Sequence, residues 1–349
     1  MHILVTGATG FVGSHAAAEL ARQGHTVRAL VRDATRAERV LGAVGLPADA
    51  VDVVVGDVTR NDDVAKALDG CAAVVHAAAV VSLHRRDADE AQRVNTAATE
   101  AVLGAGAESG CEAIVAVSSV SVFERITPAL HLDGPLRAAA GGYSASKVAC
   151  ERFARGMQAA GAPVRIVYPS GVIGPDAPSP SVVHTAAVTW IRAMPMISSG
   201  VNLVDVRDLA AVLAAAATRD GVPNRLMAGG HYTEWADLVD RIEAMRGRHI
   251  RRYRAPGPAM RGLGRVLDLT GIRLPIDFEL THETMTEASR AVPVDSSATE
   301  ASLGITPRPI EETLADTYRW LVAVGALAPG EIGAMGNVDR DGGRTGTAS

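Results

Sequence analysis

Short apolar runs rich in β-branched residues recur through the first half of the chain, and each is followed by a stretch with helical spacing. The runs occupy residues 3–5, 27–31, 51–55, 73–76, 113–117 and 164–168. They lack the strict apolar–polar alternation of a half-exposed sheet, which is typical of strands covered on both faces. Repeated strand–helix alternation therefore predicts an α/β fold built on a doubly wound parallel sheet.

Three glycines, Gly7, Gly10 and Gly13, lie between the first apolar run and an alanine-rich helical stretch. At such a turn the glycines allow a tight bend, backbone approach to a pyrophosphate, and close packing of helix on strand. The free N–H groups at the helix start would bind the pyrophosphate. We therefore predict a dinucleotide site whose contacts include Gly7, Thr9, Gly10, Phe11 and Val12.

The chain changes character after the sixth apolar run. Residues 170–200 contain four prolines and only two charged residues, 201–217 return to a strand-then-helix pattern, and helical spacing dominates from 233. We predict a dinucleotide-binding domain over 1–169 that the chain re-enters at about 201–225. A smaller, mostly helical substrate lobe is predicted over 170–200 and 226–326, and a disordered Gly-rich tail over 330–349.

Composition and charge exclude several classes of protein. The 349 residues are 48% hydrophobic with a net charge of −5, so we expect no nucleic-acid or membrane partner. The three cysteines form no CxxC pair and no basic-then-apolar leader opens the chain, so we expect a cytoplasmic protein with reduced thiols. His76 has no second ligand at metal spacing, so no metal is predicted.

Tyr143 and Lys147 are four residues apart in "YSASKVACERFARGM", a stretch with helical character. On a helix this spacing places both side chains on one face, within mutual reach. A tyrosine with its ordinary pKa of about 10 is a poor base at neutral pH, but a nearby ammonium favours the phenolate. The pair therefore predicts a tyrosine that acts as an acid and base.

Several motifs resemble the extended short-chain dehydrogenase/reductase family, also called the NAD-dependent epimerase/dehydratase superfamily, over about residues 1–325. They are "TGATGFVG" (6–13), "GDV" (56–58), "HAAA" (76–79), "VNTAAT" (94–99), "VSSVSVF" (117–123), "YSASK" (143–147), "PSGVIGP" (169–175) and "VNLVDVRDLA" (201–210). The last two most resemble its dihydroflavonol-4-reductase-like and 3β-hydroxysteroid-dehydrogenase-like branch.

The resemblance implies a Rossmann-type first domain and roles for individual residues. It implies that Tyr143 and Lys147 are catalytic, that Lys147 also bonds the nicotinamide ribose, and that Ser119 is the catalytic serine, with Ser121 in reserve. Asn95 is either catalytic or a helix residue that bonds nearby backbone. It also implies a homodimer that pairs the helices around 88–108 and 144–160. The remaining cofactor contacts that it implies are Asp57, Val58, Ala77, Ala78, Ala79, Pro169 and Val172.

The second apolar run ends on Arg32, where an NAD enzyme usually has an acidic residue that binds the ribose. A guanidinium at this place suits the 2′-phosphate of NADP, with Arg36 as a second contact. Asp33, one place later, could still accept a hydrogen bond from a ribose hydroxyl. We therefore predict NADP, and NAD stays open.

For the substrate, Val81, Ser121 and Trp190 are candidate contacts, with core packing as the other interpretation of Trp190. We predict an NAD(P)-dependent oxidoreductase that interconverts a small apolar ketone and its secondary alcohol. An NAD-dependent 3β-hydroxysteroid-type dehydrogenase, a sugar-nucleotide epimerase and a non-catalytic redox sensor are the alternatives. Arg192 is the only basic side chain in residues 170–204, which disfavours the anionic substrate of an epimerase.

Overall fold

The computed structural model describes residues 1–80, 85–126, 128–138, 142–270 and 281–336, without the side chains of residues 48, 85–88, 142 and 143. Its strands are β1 (His2–Thr6), β2 (Thr26–Val31), β3 (Val51–Val55), β4 (Ala73–His76), β5 (Ala113–Val117), β6 (Val164–Pro169), β7 (Gly171–Ile173), β8 (Ala193–Met196), β9 (Gly200–Asp205), β10 (Arg225–Ala228), β11 (His231–Glu234) and β12 (Arg251–Arg254). Its helices are α1 (Phe11–Arg22), α2 (Ala34–Ala43), α3 (Asn61–Leu68), α4 (Arg85–Glu108), α5 (Gly142–Ala159), α6 (Val182–Trp190), α7 (Val206–Thr218), α8 (Trp235–Arg246), α9 (Gly257–Thr270), α10 (His282–Arg290), α11 (Ser297–Leu303) and α12 (Ile310–Ala323).

One parallel sheet organises the first domain, with the strand order β10-β6-β5-β4-β1-β2-β3. The order reverses between β1 and β4, and ligands of open α/β sheets bind in the crevice at the carboxyl ends of strands at such a reversal. The predicted doubly wound α/β fold is confirmed. The crevice lies where the glycine turn after β1 meets the segment after β4.

Helices cover both faces of this sheet, which explains why its strands are continuously apolar. Ile3 and Val5 of β1 belong to the core beneath α1 and α7, together with Leu213. Leu4, between them, belongs to the core beneath α3, α4 and α5, together with Leu103. Alternate residues of a strand point to opposite faces, so burial of both faces requires apolar residues throughout.

The second lobe has a core of its own, formed by α6, α8 and α12. Two small sheets accompany it, one with the order β11-β9-β7 and one that pairs β12 with β8. The structure differs from the predicted boundaries in two places. Strand β10 extends the main sheet to Ala228, and Leu303 at the end of α11 packs into the first domain's core.

A cluster of ions joins the two lobes at the start of α7. The carboxylate of Asp205, whose side chain is 1% exposed, accepts hydrogen bonds from the backbone N–H of Arg207 and from its guanidinium. Arg207 also bonds Asp316 of α12 at 2.8 Å. Asp205 therefore both caps α7 and forms an ion pair with Arg207, which links this helix start to α12.

The first residues of the predicted disordered tail are folded. Residues Pro329–Glu331 and Gly333–Gly336 form 3₁₀ turns, and Ile332 and Met335 are buried against the second lobe. These apolar side chains explain why the chain stays packed there. The rest of the predicted tail, residues 337–349, lies outside the described residues. Within those residues, no helix combines the length and apolarity needed to cross a membrane.

Candidate active site and cofactor cleft

The glycine turn is a close contact between β1, α1 and the segment after β4. Gly7 has φ +73°, and a Cβ there would lie 2.6 Å from the backbone nitrogen of Ala78. A Cβ at Gly13 would lie 2.2 Å from the carbonyl oxygen of Gly7. A Cβ at Gly10 would lie 3.2 Å from the same oxygen, which is tight but not prohibitive. Gly7 and Gly13 therefore maintain the turn, while Gly10 is exposed at its tip.

The N-terminus of α1 can accommodate a pyrophosphate. Gly10 is its N-cap, and no side chain caps the helix. Its first-turn N–H groups are thus available to an anion, with the helix dipole in its favour. Thr9 and Val12 are partly buried beside the turn, and the Phe11 ring packs at 5.1 Å on His184 of the second lobe. These features fit a dinucleotide, so the predicted contacts Gly7 to Val12 lie around one anion-binding helix end.

The residues predicted to bind the cofactor's adenosine follow the carboxyl ends of β2 and β3. Arg32 is exposed directly after β2, whereas the carboxylate of Asp33 accepts the backbone N–H of Arg36 and caps α2. Asp57 follows β3 and accepts hydrogen bonds from the backbone and hydroxyl of Thr59. These bonds, with the charges of Arg32 and Arg60, lower the pKa of Asp57. Val58 is partly buried beside it.

After β4 the chain passes between the glycine turn and α4. His76 is buried, its Nδ1 lies 2.8 Å from the hydroxyl of Thr6, and desolvation with the charge of Lys147 lowers its pKa to about 3. It is therefore a neutral, packed histidine. Ala77 is partly buried against Gly7, and Ala78 and Ala79 line a small cavity that also contacts His76 and Lys147.

Asn95 of α4 holds the loop that follows these alanines. Its Oδ1 accepts the backbone N–H of Val80 at 2.7 Å, and its Nδ2 donates to the carbonyl of Val80 and to the hydroxyl of Ser146. Both amide hydrogens are donated, and the amide oxygen accepts one hydrogen bond. Of the two interpretations of Asn95, bonding to nearby backbone describes its position. Val81, a predicted substrate contact, lies outside the described residues.

Three serines after β5 have different partners. The hydroxyl of Ser118 donates to the buried carboxylate of Glu151 at 2.8 Å. Ser119 caps the 3₁₀ turn Val120–Val122, and its oxygen accepts the backbone N–H of Ser121, so its hydroxyl hydrogen stays available to a ligand. The hydroxyl of Ser121 is buried without a partner among the described residues. Ser119 and Ser121 can therefore donate to a substrate oxygen, whereas the hydroxyl hydrogen of Ser118 is already donated to Glu151.

Helix α5 brings the predicted acid–base pair to the end of β5. Tyr143 lies in its first turn, though its side chain is outside the described residues. Lys147, one turn later, is buried and donates from Nζ to the carbonyl of Val117 at 2.9 Å. Val117 is the last residue of β5 and directly precedes the serines. Lysine and serines therefore meet at the carboxyl edge of the sheet, on the same side as the glycine turn.

The second lobe contacts this site through α10. The backbone N–H of Ser144, next to Tyr143, donates to Glu283 at 3.2 Å, and its hydroxyl contacts the same carboxylate and Arg137. Glu287, one turn further along α10, pairs with Arg125. The start of α5 is thus fastened to the substrate lobe. Sequence reasoning missed the contacts with α10, because they join residues more than 100 positions apart.

The remaining predicted contacts fall in different places. Pro169 ends β6 and Val172 is partly buried in β7, both at the carboxyl edge near the serines' strand. Trp190 is a correction, because it is buried in the second lobe's core with its ring 5.6 Å from that of Trp235. Packing at the end of an apolar helix takes its side chain away from any described cavity, so core packing is the interpretation that fits.

Comparison with known proteins agrees with this geometry. The family model described as "NAD dependent epimerase/dehydratase family" matches residues 3–229. The chain belongs to this family. It is 34% identical over 213 residues to the "Putative dihydroflavonol 4-reductase" of Synechocystis sp., an alignment that covers 59% of this chain and 60% of that protein. The chain spans about three fifths of the length of this relative.

Two further matches extend over nearly the whole chain. The "Sterol demethylase protein B" of Methylococcus capsulatus is 25% identical over 337 residues, which cover 94% of this chain and 100% of that protein. The crystal structure of gox2253 superposes with a TM-score of 0.77 at 26% identity and covers 93% of this chain and 99% of that one. The similarity therefore extends beyond the family-matched residues 3–229 and includes the second lobe.

Proposed function

We propose that this protein is an NADP-dependent oxidoreductase that interconverts an apolar ketone and its secondary alcohol. The observation that carries the proposal is the meeting of Lys147, an uncommitted Ser119 hydroxyl and the start of α5 at one edge of the sheet. The glycine turn with its uncapped helix opens onto the same edge. A reducing cofactor, a proton donor and an oxyanion donor can therefore act on one carbonyl.

Each residue of the group has a distinct task in this proposal. When bound, the nicotinamide supplies a hydride to the carbonyl carbon. Tyr143 transfers its phenolic proton to the carbonyl oxygen, which becomes the alcohol. Ser119 donates a hydrogen bond to that oxygen as negative charge develops on it. Lys147 stabilises the phenolate that remains on Tyr143 until a proton from solvent restores it.

Arg32 supports the choice of NADP. It is exposed directly after β2, where its positive charge contributes to the lowered pKa of Asp57. Asp33, the residue that could read a ribose hydroxyl, already accepts the N–H of Arg36. An exposed guanidinium at the end of this strand favours a 2′-phosphate over a ribose hydroxyl.

An apolar substrate is supported by the residues near the site and by the names of relatives. Met196 and Ile197, from the apolar stretch between β7 and β9, line an open cavity of the second lobe. The relatives named for a dihydroflavonol and a sterol point to polycyclic ketones of low polarity. The substrate class proposed for this chain is therefore an alicyclic or aromatic ketone.

One observation favours a second candidate, a sugar-nucleotide epimerase. The cavity beside Met196 is also lined by Arg254, Arg261 and Arg290. The sequence argument against an anionic substrate counted basic residues only within 170–204, but these arginines come from β12, α9 and α10. They are suited to bind a diphosphate. The two candidates therefore differ in the charge of the substrate.

A substrate screen separates the two candidates. Purified protein is incubated with NADPH or NADH and a panel of flavanone, steroidal and simple aromatic ketones, and cofactor oxidation is followed by absorbance. UDP-glucose and UDP-glucuronate are tested in parallel for epimerisation, which consumes no net cofactor. The proposal expects NADPH oxidation with at least one ketone class. Epimerisation of a UDP-sugar without ketone reduction would replace it with the second candidate.

A further inference from the structure

Glu151 is a buried carboxylate on the catalytic face of α5. It lies four residues after Lys147 on the same helix, so the two side chains share a face. Its side chain is 0% exposed. Both residues line the same small cavity, together with His76, Cys150 and Ser118.

Three donors from three places converge on this carboxylate. The hydroxyl of Ser118 donates at 2.8 Å, that of Tyr168 at 2.6 Å, and Nε of Arg155 at 2.6 Å. Only the last comes from the same helix. The guanidinium of Arg155 forms an ion pair with the carboxylate, and the two hydroxyls add a hydrogen bond to each of its oxygens. Consistent with this, burial and the charge of Glu151 raise the pKa of Tyr168 above its ordinary value.

These bonds fix the relative position of the three elements that form the site. Ser118 directly precedes Ser119 at the end of β5, and Tyr168 directly precedes Pro169 at the end of β6. The carboxylate itself belongs to the helix of Tyr143 and Lys147. Stability alone would not require a charge here, because a buried ion pair is often replaced by apolar residues without loss of stability. Two of the three bonds instead hold residues that are directly adjacent to predicted site residues.

We propose that Glu151 is a positioning residue of the reaction, a role that rests on the proposed oxidoreductase function. Through Ser118 it holds Ser119 at the distance from the Tyr143–Lys147 pair that a single carbonyl oxygen requires. Its fixed negative charge lies one turn from Lys147 and opposes the formation of the Tyr143 phenolate. Loss of the charge therefore favours the phenolate and alters the pH dependence of turnover.

The groups that face Glu151 limit the sources of such a pH effect. On its own helix the cations are Lys147, Arg155 and the exposed Arg152, and Tyr168 faces it from β6. His76 faces the shared cavity from β4, and its pKa is lowered to about 3. Cys150 is the remaining titratable neighbour in the cavity. Since His76 stays neutral throughout the working range, it cannot account for an inflection near neutral pH.

The test compares Glu151→Gln with Ser118→Ala and with Glu112→Gln, an exposed carboxylate at the opposite end of β5. Alcohol oxidation is measured from pH 5 to 10, with cofactor affinity and thermal unfolding of each variant. Glu151→Gln is expected to lower kcat about 10- to 100-fold, the scale of a small misplacement of reacting groups. It is also expected to move the inflection of the profile to lower pH. Ser118→Ala should lower kcat without moving the inflection, and Glu112→Gln should match the wild type.

Two results would overturn the proposal. One is a Glu151→Gln variant with the wild-type kcat and pH profile. The other is a Glu151→Gln variant whose activity, cofactor affinity and melting temperature all fall together while the inflection of the pH profile stays at the wild-type pH. That pattern is expected of a carboxylate with a purely structural role. Tyr143→Phe is measured beside them as a reference. If that variant remains active, the proposed function itself fails, whatever Glu151 does.

Discussion

Arg32 is the residue on which the choice between the two nicotinamide cofactors depends. A charge-assisted hydrogen bond to a 2′-phosphate is worth about 1.5–3 kcal/mol, or about one to two decades in affinity. Arg32→Asp is expected to repel the phosphate and to offer the ribose an acceptor, so the preference for NADPH should invert. Titration of both cofactors into both proteins measures this change.

A matched control for this prediction is Arg39→Asp, which makes the same change of charge at an exposed position further along α2. It should weaken NADPH binding only slightly, and less as salt rises, because a distant charge is screened. Tighter binding of NADH than of NADPH by the wild-type protein would contradict the account, and Asp33 would then be the residue that reads the ribose.

A second prediction at the scale of single residues concerns two of the serines after β5, Ser119 and Ser121. Ser119→Ala should lower kcat about 10²- to 10³-fold, the usual cost of one lost oxyanion donor. Ser121→Ala is the comparison, because the hydroxyl of Ser121 is buried without a partner among the described residues and could also donate to a substrate. Steady-state kinetics of the two variants decides between them. If Ser121→Ala proves the damaging change, the donor lies two residues further along than we infer.

At the scale of elements, substitutions in the turn between β1 and α1 should affect cofactor binding and folding separately. Gly10→Val should fold, since a Cβ at this position only approaches the oxygen of Gly7, but its methyl groups would occupy the space of the pyrophosphate. Gly13→Ala should instead disrupt the turn itself, because its Cβ would overlap that oxygen. Circular dichroism and NADPH titration distinguish the two outcomes, with Gly104→Ala on the open side of α4 as the control. Normal cofactor binding by Gly10→Val would contradict the site.

The same element shows why some features could be predicted from sequence and others could not. The glycine turn, the strands and the Tyr143–Lys147 spacing depend on residues within a few positions of one another, so local geometry determines them. The position of Trp190 in a core, and the use of Asn95 to hold Val80, depend on which distant elements pack together. Glu151 is intermediate. Its helical spacing from Lys147 is visible in the sequence, but its bonds to Ser118 and Tyr168 require the sheet order.

At the scale of the whole molecule, the two lobes depend on the ions around Asp205. Burial alone would oppose the charge of Asp205, but its bonds to Arg207 and the charge of Arg308 outweigh it and lower the pKa. Arg207→Ala leaves this carboxylate without its main partner, and we expect a loss of about 3–5 kcal/mol in the free energy of unfolding. Denaturant titration followed by tryptophan fluorescence measures it.

The same ion pair predicts how stability depends on pH. Because the folded-state pKa of Asp205 is lowered, its contribution is complete above the ordinary value of about 3.9 and is lost as the pH falls toward the folded-state value. In Arg207→Ala this acid-dependent part should largely disappear. Arg22→Ala, which removes the exposed guanidinium that pairs with Glu19, should leave the free energy of unfolding close to that of the wild type. Equal losses in the two variants would show that the lobes do not depend on this cluster.

The central claim is that Tyr143 completes a hydride transfer to a ketone at the edge of the sheet. The most direct measurement is the transfer of deuterium from C4-deuterated NADPH to the carbinol carbon of the product, in wild-type protein and in Tyr143→Phe. The account predicts label at that carbon for the wild type. In Tyr143→Phe it predicts a rate at least about 10²-fold lower with nearly unchanged NADPH affinity. Label transfer at a similar rate by both proteins, or none from the wild type to any ketone tested, would contradict it.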